Sequence, residues 1–536
     1  MNSNRRSLIS GFLRSLDRDP DHVALQIGDD AWTYAQLWEN ASRLGAAVQG
    51  FSGPADGVIA LIAERSLTAY AGILGILATG RGYVPLNPKF PIERTSAMLK
   101  ASGCRTVIVG QECAHLLPSL FPLLSDRTTW LLDGEQVHLP SSDFEAHHPV
   151  ISARGMSARL ELSEPTPVDG ATAYLLFTSG STGTPKGVPV SQSNVCSYLE
   201  YVGRRYQFSN QDRFSQNFDL TFDLSVHDLF ACWDSGATLC CPPEQTLIPV
   251  SAIDEYQLTA WFSVPSVGMY ASKLGLLVPK AFPSLRLSLF CGEALSASLA
   301  DQWQRAAPSS TLENIYGPTE TTIAITGYRW NPGRSPEECV NGIVPIGWIF
   351  EGQQACIVNE DLVPVSSGST GELCLAGSQV TSGYLNSPDR TAQQFVRIRG
   401  MGDQIWYRTG DLARQDERGC LYYLGRTDHQ VKVNGYRIEL QEIDLVLREA
   451  AGVELAVAIP WPVSGASASG IVAVLCGTNS SVNARVFELC GQRLPRYMVP
   501  TAVYHFDQLP LNANGKLDRR QIAEQLERMR SVGKAA

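Results

Sequence analysis

The first 170 residues alternate between helical and strand-like patterns of hydrophobic and polar positions. Thr33 is placed to cap the first long helix. The apolar side chains that share one face of this helix are Leu37, Ala41, Leu44 and Val48. Residues 69–79 are small and aliphatic, which predicts a buried helix, and residues 107–109 predict a short strand. This alternation predicts a mostly parallel sheet with helices on both faces.

The pattern changes after about residue 335. Short strands with frequent glycine extend from about 335 to 425, which predicts a smaller β-rich unit. From about residue 430, an alternating strand at 431–438, a helix at 439–450 and an apolar segment at 469–476 predict an α+β unit. The predicted fold class is therefore α/β, with parallel α/β subdomains and a small β-rich subdomain before a small α+β C-terminal domain.

Composition indicates a globular protein and narrows its partners. Of the 536 residues, 44% are hydrophobic and 18% are charged, which is typical of a folded chain. The formal net charge of -10 argues against a nucleic acid as the main ligand. No apolar run approaches the roughly 18 residues that a membrane span needs. The 13 scattered cysteines, with no CxxC pair and no signal peptide before them, predict reduced thiols in the cytoplasm.

A run of glycine, serine and threonine at residues 178–187 predicts a phosphate-binding loop. Its sequence is Thr-Ser-Gly-Ser-Thr-Gly-Thr-Pro-Lys-Gly, with a strand-like segment at 174–177 before it and a helix-like segment at 193–206 after it. Backbone N–H groups and hydroxyls in such a loop bind phosphate, and the lysine adds a positive charge. It is not a Walker A loop, which needs Gly-Lys-Ser/Thr directly before the helix. The residues expected at the phosphates are Thr178, Ser179, Gly180, Ser181, Thr182, Gly183 and Lys186.

Four further motifs follow along the chain. Residues 314–320 are Asn-Ile-Tyr-Gly-Pro-Thr-Glu, and residues 407–411 are Tyr-Arg-Thr-Gly-Asp. Residues 425–439 include Gly-Arg-Thr-Asp, Gln-Val-Lys and Gly-Tyr-Arg-Ile-Glu, and residues 514–516 are Asn-Gly-Lys. With the loop at 178–187, these segments resemble the motifs of the adenylate-forming superfamily, in the family's order. That superfamily contains acyl-CoA synthetases, luciferases and the adenylation domains of nonribosomal peptide synthesis.

The resemblance implies a domain organisation and two cofactors. It implies a large N-terminal, AMP-binding domain at residues 1–427 and a small, mobile C-terminal domain at residues 428–536. Asp428 falls on the family's hinge position, and Lys516 falls on the position of its catalytic lysine. The cofactors that the resemblance implies are ATP and Mg²⁺.

The chemistry of the implied reaction suits the residue types in these motifs. A carboxylate attacks the α-phosphate of ATP, so a metal, a cation and fixed donors must stabilise the negative charge of the transition state. The resemblance implies that Glu320 binds Mg²⁺, that Thr319 donates to the α-phosphate, and that Lys516 reaches the carboxylate and bridging oxygens. Lys186 is implied as a further catalytic cation.

The nucleotide contacts that the resemblance implies use an aromatic face, an amide and a carboxylate. Tyr316 offers a flat face to adenine, and Asn314 offers an amide to its edge. Asp411 is suited to accept both hydroxyls of the ribose. The remaining residues implied at the nucleotide are Gly292, Glu293, Gly317 and Arg426.

Asp223 distinguishes an amino acid from a plain carboxylic acid as the substrate. It matches the aspartate that binds the α-ammonium group in the amino-acid-activating branch of the family. A fatty-acyl or aryl ligase has no need of a buried carboxylate there, because an unpaired one is costly. Asp219 lies four residues earlier in a similar Phe-Asp-Leu context and is the alternative match.

The other pocket positions that the resemblance implies are mostly apolar, and several are bulky. They are Leu224, His227, Val267, Leu289, Cys291, Ile315, Ile323 and Ala324. Ile315 and His227 are expected to shorten the cavity, which favours a small side chain. His227 either contacts a polar substrate side chain, such as that of serine, or is a neutral packing histidine. Residues 222–230 and 289–293 resemble the D-alanine–carrier protein ligases and also fit stand-alone adenylation enzymes for small amino acids.

The acceptor of the activated group is expected to be a separate molecule. Only 20 residues follow Lys516, and they hold no phosphopantetheine attachment motif. We therefore expect activation of a small amino acid as aminoacyl-AMP, with release of pyrophosphate, and transfer to the phosphopantetheine thiol of a free-standing carrier protein in secondary metabolite biosynthesis. No nucleic acid or membrane partner is expected.

Two alternative functions remain open from the sequence. One is an acyl-CoA synthetase for a small carboxylic acid, which Asp223 disfavours. The other is an inactive homologue that acts as a scaffold or sensor. An inactive homologue predicts losses among Lys186, Glu320, Asp411 and Lys516, and all four are present.

Overall fold

The computed structural model describes residues 7–53, 56–135, 147–157, 170–179, 185–243, 246, 248–427, 430–453, 455–464, 467–468, 470–510 and 518–533. The chain divides into two compact units. The first comprises residues 1–88, 95–177 and 187–427, and the second comprises residues 89–94, 178–186 and 428–536.

The largest sheet of the first unit has nine strands among the described residues. In sheet order these are Trp348–Ile349, Thr326–Arg329, Thr311–Tyr316, Leu287–Phe290, Ala260–Ser263, Arg213–Ser215, Thr238–Cys241, Val23–Ile27 and Asp30–Thr33. The central strands, from Thr311–Tyr316 to Val23–Ile27, run parallel. Antiparallel strands flank them on both sides. Parallel strands are usually buried on both faces, and Leu287–Phe290 is buried at every residue.

A second sheet, whose strands belong to the first unit except for the end residues Thr178 and Lys186, is also mainly parallel. Its strands, in sheet order, are Val150–Ser152, Thr129–Asp133, Thr106–Gly110, Val58–Ile62, Gly82–Leu86, Thr172–Thr178 and Lys186–Ser191. The helix predicted after the glycine-rich loop is confirmed as Gln192–Tyr206. A strand that the sequence analysis did not assign, Lys186–Ser191, lies between the loop and this helix. The strand tolerates Pro189 because it is at the edge of the sheet, and Val188 and Val190 are buried.

The predicted β-rich unit is present as an antiparallel sheet within the first unit. Its strands are Gln353–Val358, Thr370–Gly377, Ile405–Gln415 and Phe395–Arg397 in sheet order, and Leu421–Arg426 pairs with Ile405–Gln415. The parallel sheets, this sheet and the C-terminal α+β region confirm the predicted α/β fold class.

Helices alternate with the strands along residues 1–427. Among the described residues they are Ser10–Arg18, Tyr34–Phe51, Leu67–Ala78, Ile92–Ser102, Leu117–Leu120, Ala153–Ser157, Gln192–Tyr206, Leu224–Ser235, Ser251–Glu255, Pro265–Lys273, Ala297–Ala306, Ser335–Glu338 and Pro388–Gln394. Thr33 caps its helix as predicted: the Gln36 N–H donates to Thr33 Oγ1 (3.2 Å), and the Thr33 N–H donates to Gln36 Oε1 (2.9 Å). The predicted buried helix at 69–79 is confirmed as Leu67–Ala78.

The second unit combines short sheets with helices. One sheet contains Tyr436–Glu439, Gln430–Val433, Ser467–Ala468 and Val463–Ser464, and another contains Ala456–Pro460, Ile471–Cys476 and Val503–Phe506. The helices are Leu440–Ala451, Asn483–Arg493 and Arg519–Gly533. The predicted single strand at 431–438 was wrong, because the segment is a hairpin. Asn434 and Gly435 both have positive φ (50° and 83°), the conformation of a tight Asn-Gly hairpin turn.

None of the helices in the described ranges is long and apolar enough to cross a membrane. None of the 13 cysteines, all of which lie in those ranges, forms a disulfide.

Candidate active site

The predicted site residues of the first unit gather at one edge of the nine-stranded sheet. Neighbouring parallel strands align Ser263 with Phe290, and Phe290 with Asn314. Their carboxyl ends therefore lie side by side, where open α/β sheets usually bind ligands. The segments that follow these strands are 264–267, 291–293 and 317–324, and each contains predicted site residues.

The segment 317–324, which we call the site loop, has a constrained backbone. A Cβ on Gly317 would lie 2.6 Å from Ala324 Cα, so only glycine fits this close approach. A 3₁₀ turn at Thr319–Thr321 follows. Thr322 and Ile323 then have φ of 60° and 70°, a left-handed conformation that is unusual for a β-branched residue. Such strain is often found at functional sites.

Asp223 is buried at the start of the helix Leu224–Ser235. It occupies the N-cap position, but its side chain makes no capping hydrogen bond. Instead, the Ile323 N–H donates to Asp223 Oδ2 at 3.2 Å. Burial raises the pKa of Asp223 to about 7, although hydrogen bonds from the Ile323 N–H and the Thr319 hydroxyl oppose the increase. The carboxylate therefore faces the site loop and is not used to stabilise its own helix.

Asp219, the alternative match, is engaged in its own turn. Its Oδ1 accepts hydrogen bonds from Thr221 N (2.8 Å) and Thr221 Oγ1 (2.6 Å). Its Oδ2 accepts a hydrogen bond from Asn87. This is the local bonding of a turn aspartate, which favours Asp223 as the ligand-binding carboxylate.

The structure brings the other predicted pocket residues together. Six of them are buried in one apolar cluster: Leu224, Leu289, Cys291, Ile315, Ile323 and Ala324. Val267 is half-buried and packs against this cluster. The site loop and two strand ends thus form a mainly apolar wall beside Asp223.

His227 is buried among aromatic rings one helical turn after Asp223. Its Nδ1 lies 2.8 Å from the Tyr198 hydroxyl, and its ring centroid lies 4.9 Å from that of Phe262. Burial lowers the pKa of His227 to about 3, so the ring is neutral at physiological pH. This environment favours the packing alternative for His227.

The predicted ribose-binding residues form a hydrogen-bonded group. Asp411 is buried, and its Oδ1 accepts a hydrogen bond from Arg426 Nη1 at 2.5 Å. Its Oδ2 accepts a hydrogen bond from the Tyr316 hydroxyl. Asn314 is held beside them, because its Nδ2 donates to the carbonyl oxygens of Val344 (3.3 Å) and Pro345 (2.9 Å). Asp411 and the Tyr316 ring are therefore fixed in orientation before any nucleotide binds.

Glu320 and Glu293 are the other predicted carboxylates at this edge. Glu320 is fully buried, and its Oε1 accepts a hydrogen bond from the Tyr384 hydroxyl at 2.8 Å. Glu293 accepts one from the Ser266 N–H at 2.8 Å and follows Gly292, which has positive φ. In the described ranges no three His, Cys, Asp or Glu side chains cluster as a metal-binding set. Mg²⁺ is usually held by one or two carboxylates together with substrate phosphates, so a single buried carboxylate such as Glu320 fits it.

Several predicted residues do not lie in the first unit. Thr178, Ser179 and Lys186 fall in the second unit, where Ser179 Oγ donates to the Arg437 carbonyl oxygen (2.8 Å) and accepts from the Glu439 N–H (3.2 Å). The predicted phosphate contacts Gly180, Ser181, Thr182 and Gly183, the hinge residue Asp428 and the catalytic Lys516 lie outside the described residues.

Two residues that the sequence analysis missed, Gln379 and Tyr384, contact the site loop. Gln379 Nε2 donates to the Ala324 carbonyl oxygen at 2.7 Å, and Tyr384 bonds Glu320 as described. Both belong to the segment after the strand Thr370–Gly377, which the sequence analysis did not single out. Their contacts join residues 55 and 64 positions apart in the chain, which a local pattern of residues does not reveal.

Comparison with known proteins agrees with the site. The profile of the family described as AMP-binding enzyme matches residues 12–385. The chain belongs to the AMP-binding enzyme family. As the motifs predicted, its relatives include nonribosomal peptide synthetases, adenylation domains and a carrier protein ligase. Enzymes of this family use ATP.

Relatives include both single enzymes and large synthetases. The chain is 30% identical to the D-alanine--D-alanyl carrier protein ligase of Lacticaseibacillus paracasei, over 96% of this chain and 99% of the relative. It is 32% identical to tyrocidine synthase 3 of Brevibacillus parabrevis, over 95% of this chain but only 8% of that synthetase. The chain thus spans a small part of several of the AMP-binding synthetases that it matches.

Solved structures agree with the fold. The Vibrio cholerae adenylation domain AlmE, in complex with glycyl-adenosine-5'-phosphate, matches with a TM-score of 0.86 and 33% identity. The match covers 98% of each chain.

Proposed function

We propose that this AMP-binding enzyme activates a small amino acid as aminoacyl-AMP, with release of pyrophosphate. We further propose transfer of the aminoacyl group to the phosphopantetheine thiol of a separate carrier protein. The observation that carries the proposal is the Asp223 carboxylate, which is buried, unused for helix capping and next to an apolar wall. An amino acid offers the ammonium group that such a carboxylate needs as a partner.

The catalytic roles follow from the residue types at the strand ends. Glu320 would hold Mg²⁺, which neutralises phosphate charge and polarises the α-phosphate when it is bound. Thr319 would donate its hydroxyl to the α-phosphate, and Asp411 would accept the ribose hydroxyls. Lys186 and Lys516 would supply positive charge, with Lys516 on a small domain at 428–536 and the nucleotide on a large domain at 1–427.

A separate carrier protein is supported by the relatives. The ligase of Lacticaseibacillus paracasei, which matches this chain over 99% of its own length, is named for a carrier protein. The proposed acceptor here is therefore a free-standing phosphopantetheinylated carrier, and loading of such a protein from ATP and an amino acid is the assay for it.

The pocket should select small side chains. Because Cys291, Ile315 and His227 are buried and packed, a large side chain would overfill the cavity, at a cost of about 1–3 kcal/mol for each misfit. Glycine, alanine or serine should therefore support faster ATP–pyrophosphate exchange than leucine or phenylalanine, with L and D forms compared. Faster exchange with phenylalanine than with alanine would show that these residues do not line the pocket.

Amino-acid binding should weaken below neutral pH. Burial raises the pKa of Asp223 to about 7, so as the pH falls through 7 the free enzyme gains a neutral carboxyl that attracts an ammonium group less. We expect kcat/KM for the amino acid to fall by about tenfold per pH unit on this acid limb. In Asp223→Asn, kcat/KM for the amino acid should be low and should no longer change over this pH range. An acid limb that persists in this variant would be due to the titration of another group.

The groups around Asp223 leave the sign of this limb unchanged. Glu320 is close enough to raise the pKa of Asp223 further. The neighbouring tyrosines stay neutral because burial raises their pKa, and they are Tyr83, Tyr174 and Tyr198. His227 is neutral above about pH 3.

A further inference from the structure

Hydrogen bonds from the segment after the strand Thr370–Gly377 of the β-rich sheet hold the site loop in place. Gln379 is fully buried, and its Nε2 lies 2.7 Å from the Ala324 carbonyl oxygen, 3.3 Å from that of Thr322 and 3.4 Å from that of Thr321. In return, Thr322 Oγ1 donates to the Gln379 carbonyl oxygen at 2.6 Å. The side chain and the main chain of Gln379 therefore both bind the same turn.

These bonds coincide with the most strained part of the loop. The left-handed backbone of Thr322 and Ile323 is unfavourable for β-branched residues unless the surrounding structure holds it. The Gln379 amide supplies such a hold, because its Nε2 lies within hydrogen-bond distance of three carbonyl oxygens in this turn. The Thr381 N–H adds a further bond, to the Glu320 carbonyl oxygen at 2.9 Å.

The same turn places the Ile323 N–H against Asp223. That N–H donates to Asp223 Oδ2 at 3.2 Å, and Ile323 and Ala324 belong to the apolar wall of the pocket. Moving the Ala324 carbonyl would therefore shift a donor of Asp223 and two pocket positions together. Among the described residues, the hydrogen bonds of Gln379 go to Gln353 and to residues 321–324, and not to Asp223 or Asp411.

We propose that Gln379 is a positioning residue that sets amino-acid recognition by holding the site loop in its left-handed turn. The inference rests on the proposed function, in which Asp223 binds the amino-acid ammonium group. Replacing Gln379 should affect binding of the amino acid more than binding of ATP. The reason is that the bonds of Gln379 reach residues 321–324 and not Asp411 or Tyr316.

Gln379→Leu tests the proposal, since leucine keeps similar bulk but has no donor. KM for the amino acid should rise by about 5- to 100-fold, the range expected when a buried acceptor loses its donor. KM for ATP should stay near the wild-type value. The acid limb of kcat/KM should move to higher pH, because a weaker bond from the Ile323 N–H leaves the Asp223 carboxylate less stabilised.

A matched control is Gln415→Leu. Gln415 also donates its amide to a carbonyl oxygen, that of Gly419 at 3.3 Å, but at a turn of the same β-rich sheet away from the site loop. Gln415→Leu should leave the KM values for ATP and the amino acid, and the acid limb, unchanged. This result would separate a positioning role of Gln379 from a general weakening of the sheet. If Gln379→Leu does not fold, Thr322→Val removes the 2.6 Å bond from Thr322 Oγ1 to the Gln379 carbonyl oxygen and should give the same KM split.

The outcomes separate this inference from the proposed function. An unchanged amino-acid KM and pH limb in Gln379→Leu, or an equal rise of the KM values for ATP and the amino acid, overturns the positioning role. If Asp223→Asn also leaves amino-acid activation unchanged, the proposed ammonium site fails as well. A defect in Asp223→Asn beside a normal Gln379→Leu leaves the proposed function in place and rejects only the role of Gln379.

Discussion

Replacing Asp223 by alanine is expected to lower amino-acid activation by about 10²–10³-fold or more. Removing one partner of a buried charge pair costs about 3–5 kcal/mol, because the other charge stays buried without compensation. In this enzyme the stranded charge would be the substrate ammonium group beside the apolar wall. ATP–pyrophosphate exchange with the preferred amino acid measures the loss, and ATP binding should be retained.

Two controls make this test more specific: a variant of a nearby aspartate, and a substrate that lacks the ammonium group. Asp219→Ala removes a carboxylate four positions away whose bonds are to its own turn and to Asn87, so we expect a much smaller loss. Selectivity should also change. The rate with propionate, relative to the rate with alanine, should be higher in Asp223→Ala than in the wild type. Propionate has no ammonium group, so in the wild type it leaves the Asp223 carboxylate unpaired, and the variant has no such carboxylate. A crippled Asp219→Ala beside a normal Asp223→Ala would reverse the assignment.

Replacing Lys516 by alanine is expected to slow formation of the aminoacyl-AMP by about 10²–10³-fold, the effect of losing one transition-state donor. Transfer from pre-formed aminoacyl-AMP to the carrier protein should be almost unaffected. The reason is that the family resemblance implies a rotation of the small domain between the two half-reactions, which would withdraw Lys516 before transfer. Pyrophosphate exchange and single-turnover carrier loading measure the two steps separately.

Two variants complete the Lys516 experiment. Arg520→Ala removes a cation whose side chain is 91% exposed, four residues further on, and should affect neither step. Asp428→Pro restricts the backbone at the proposed hinge and should show the reverse pattern, with adenylation retained and transfer impaired. Equal losses of both steps in Lys516→Ala and Asp428→Pro would contradict domain alternation.

Features that depend on only a few neighbouring residues could be predicted from the sequence. The Thr33 cap is one, because its partner Gln36 is three positions away. The helix at 67–78 is another, because a continuous run of small and aliphatic residues is stable only when it is buried. The Asn434-Gly435 turn was equally local and was missed because the alternation on either side of it was taken as one strand.

The motif residues were found because each stands in a short string with its own chemistry. The parallel sheet then brings Cys291, Glu293, Tyr316 and Glu320 to one edge, as expected for segments that follow neighbouring parallel strands. The strand Lys186–Ser191 was not anticipated, because an edge strand with a proline has a weak pattern.

By itself the sequence determined the family chemistry: the order of the motifs, the α/β alternation and an aspartate within Phe222–Phe230. The tertiary structure decided which aspartate faces the site loop and how acidic it is. Asp219 and Asp223 have nearly the same neighbours in sequence, but only Asp223 meets the N–H of a residue 100 positions away. Gln379 and Tyr384 contact the loop across 55 and 64 positions. Burial and contacts over such distances depend on how the sheets pack, and no local pattern of residues encodes them.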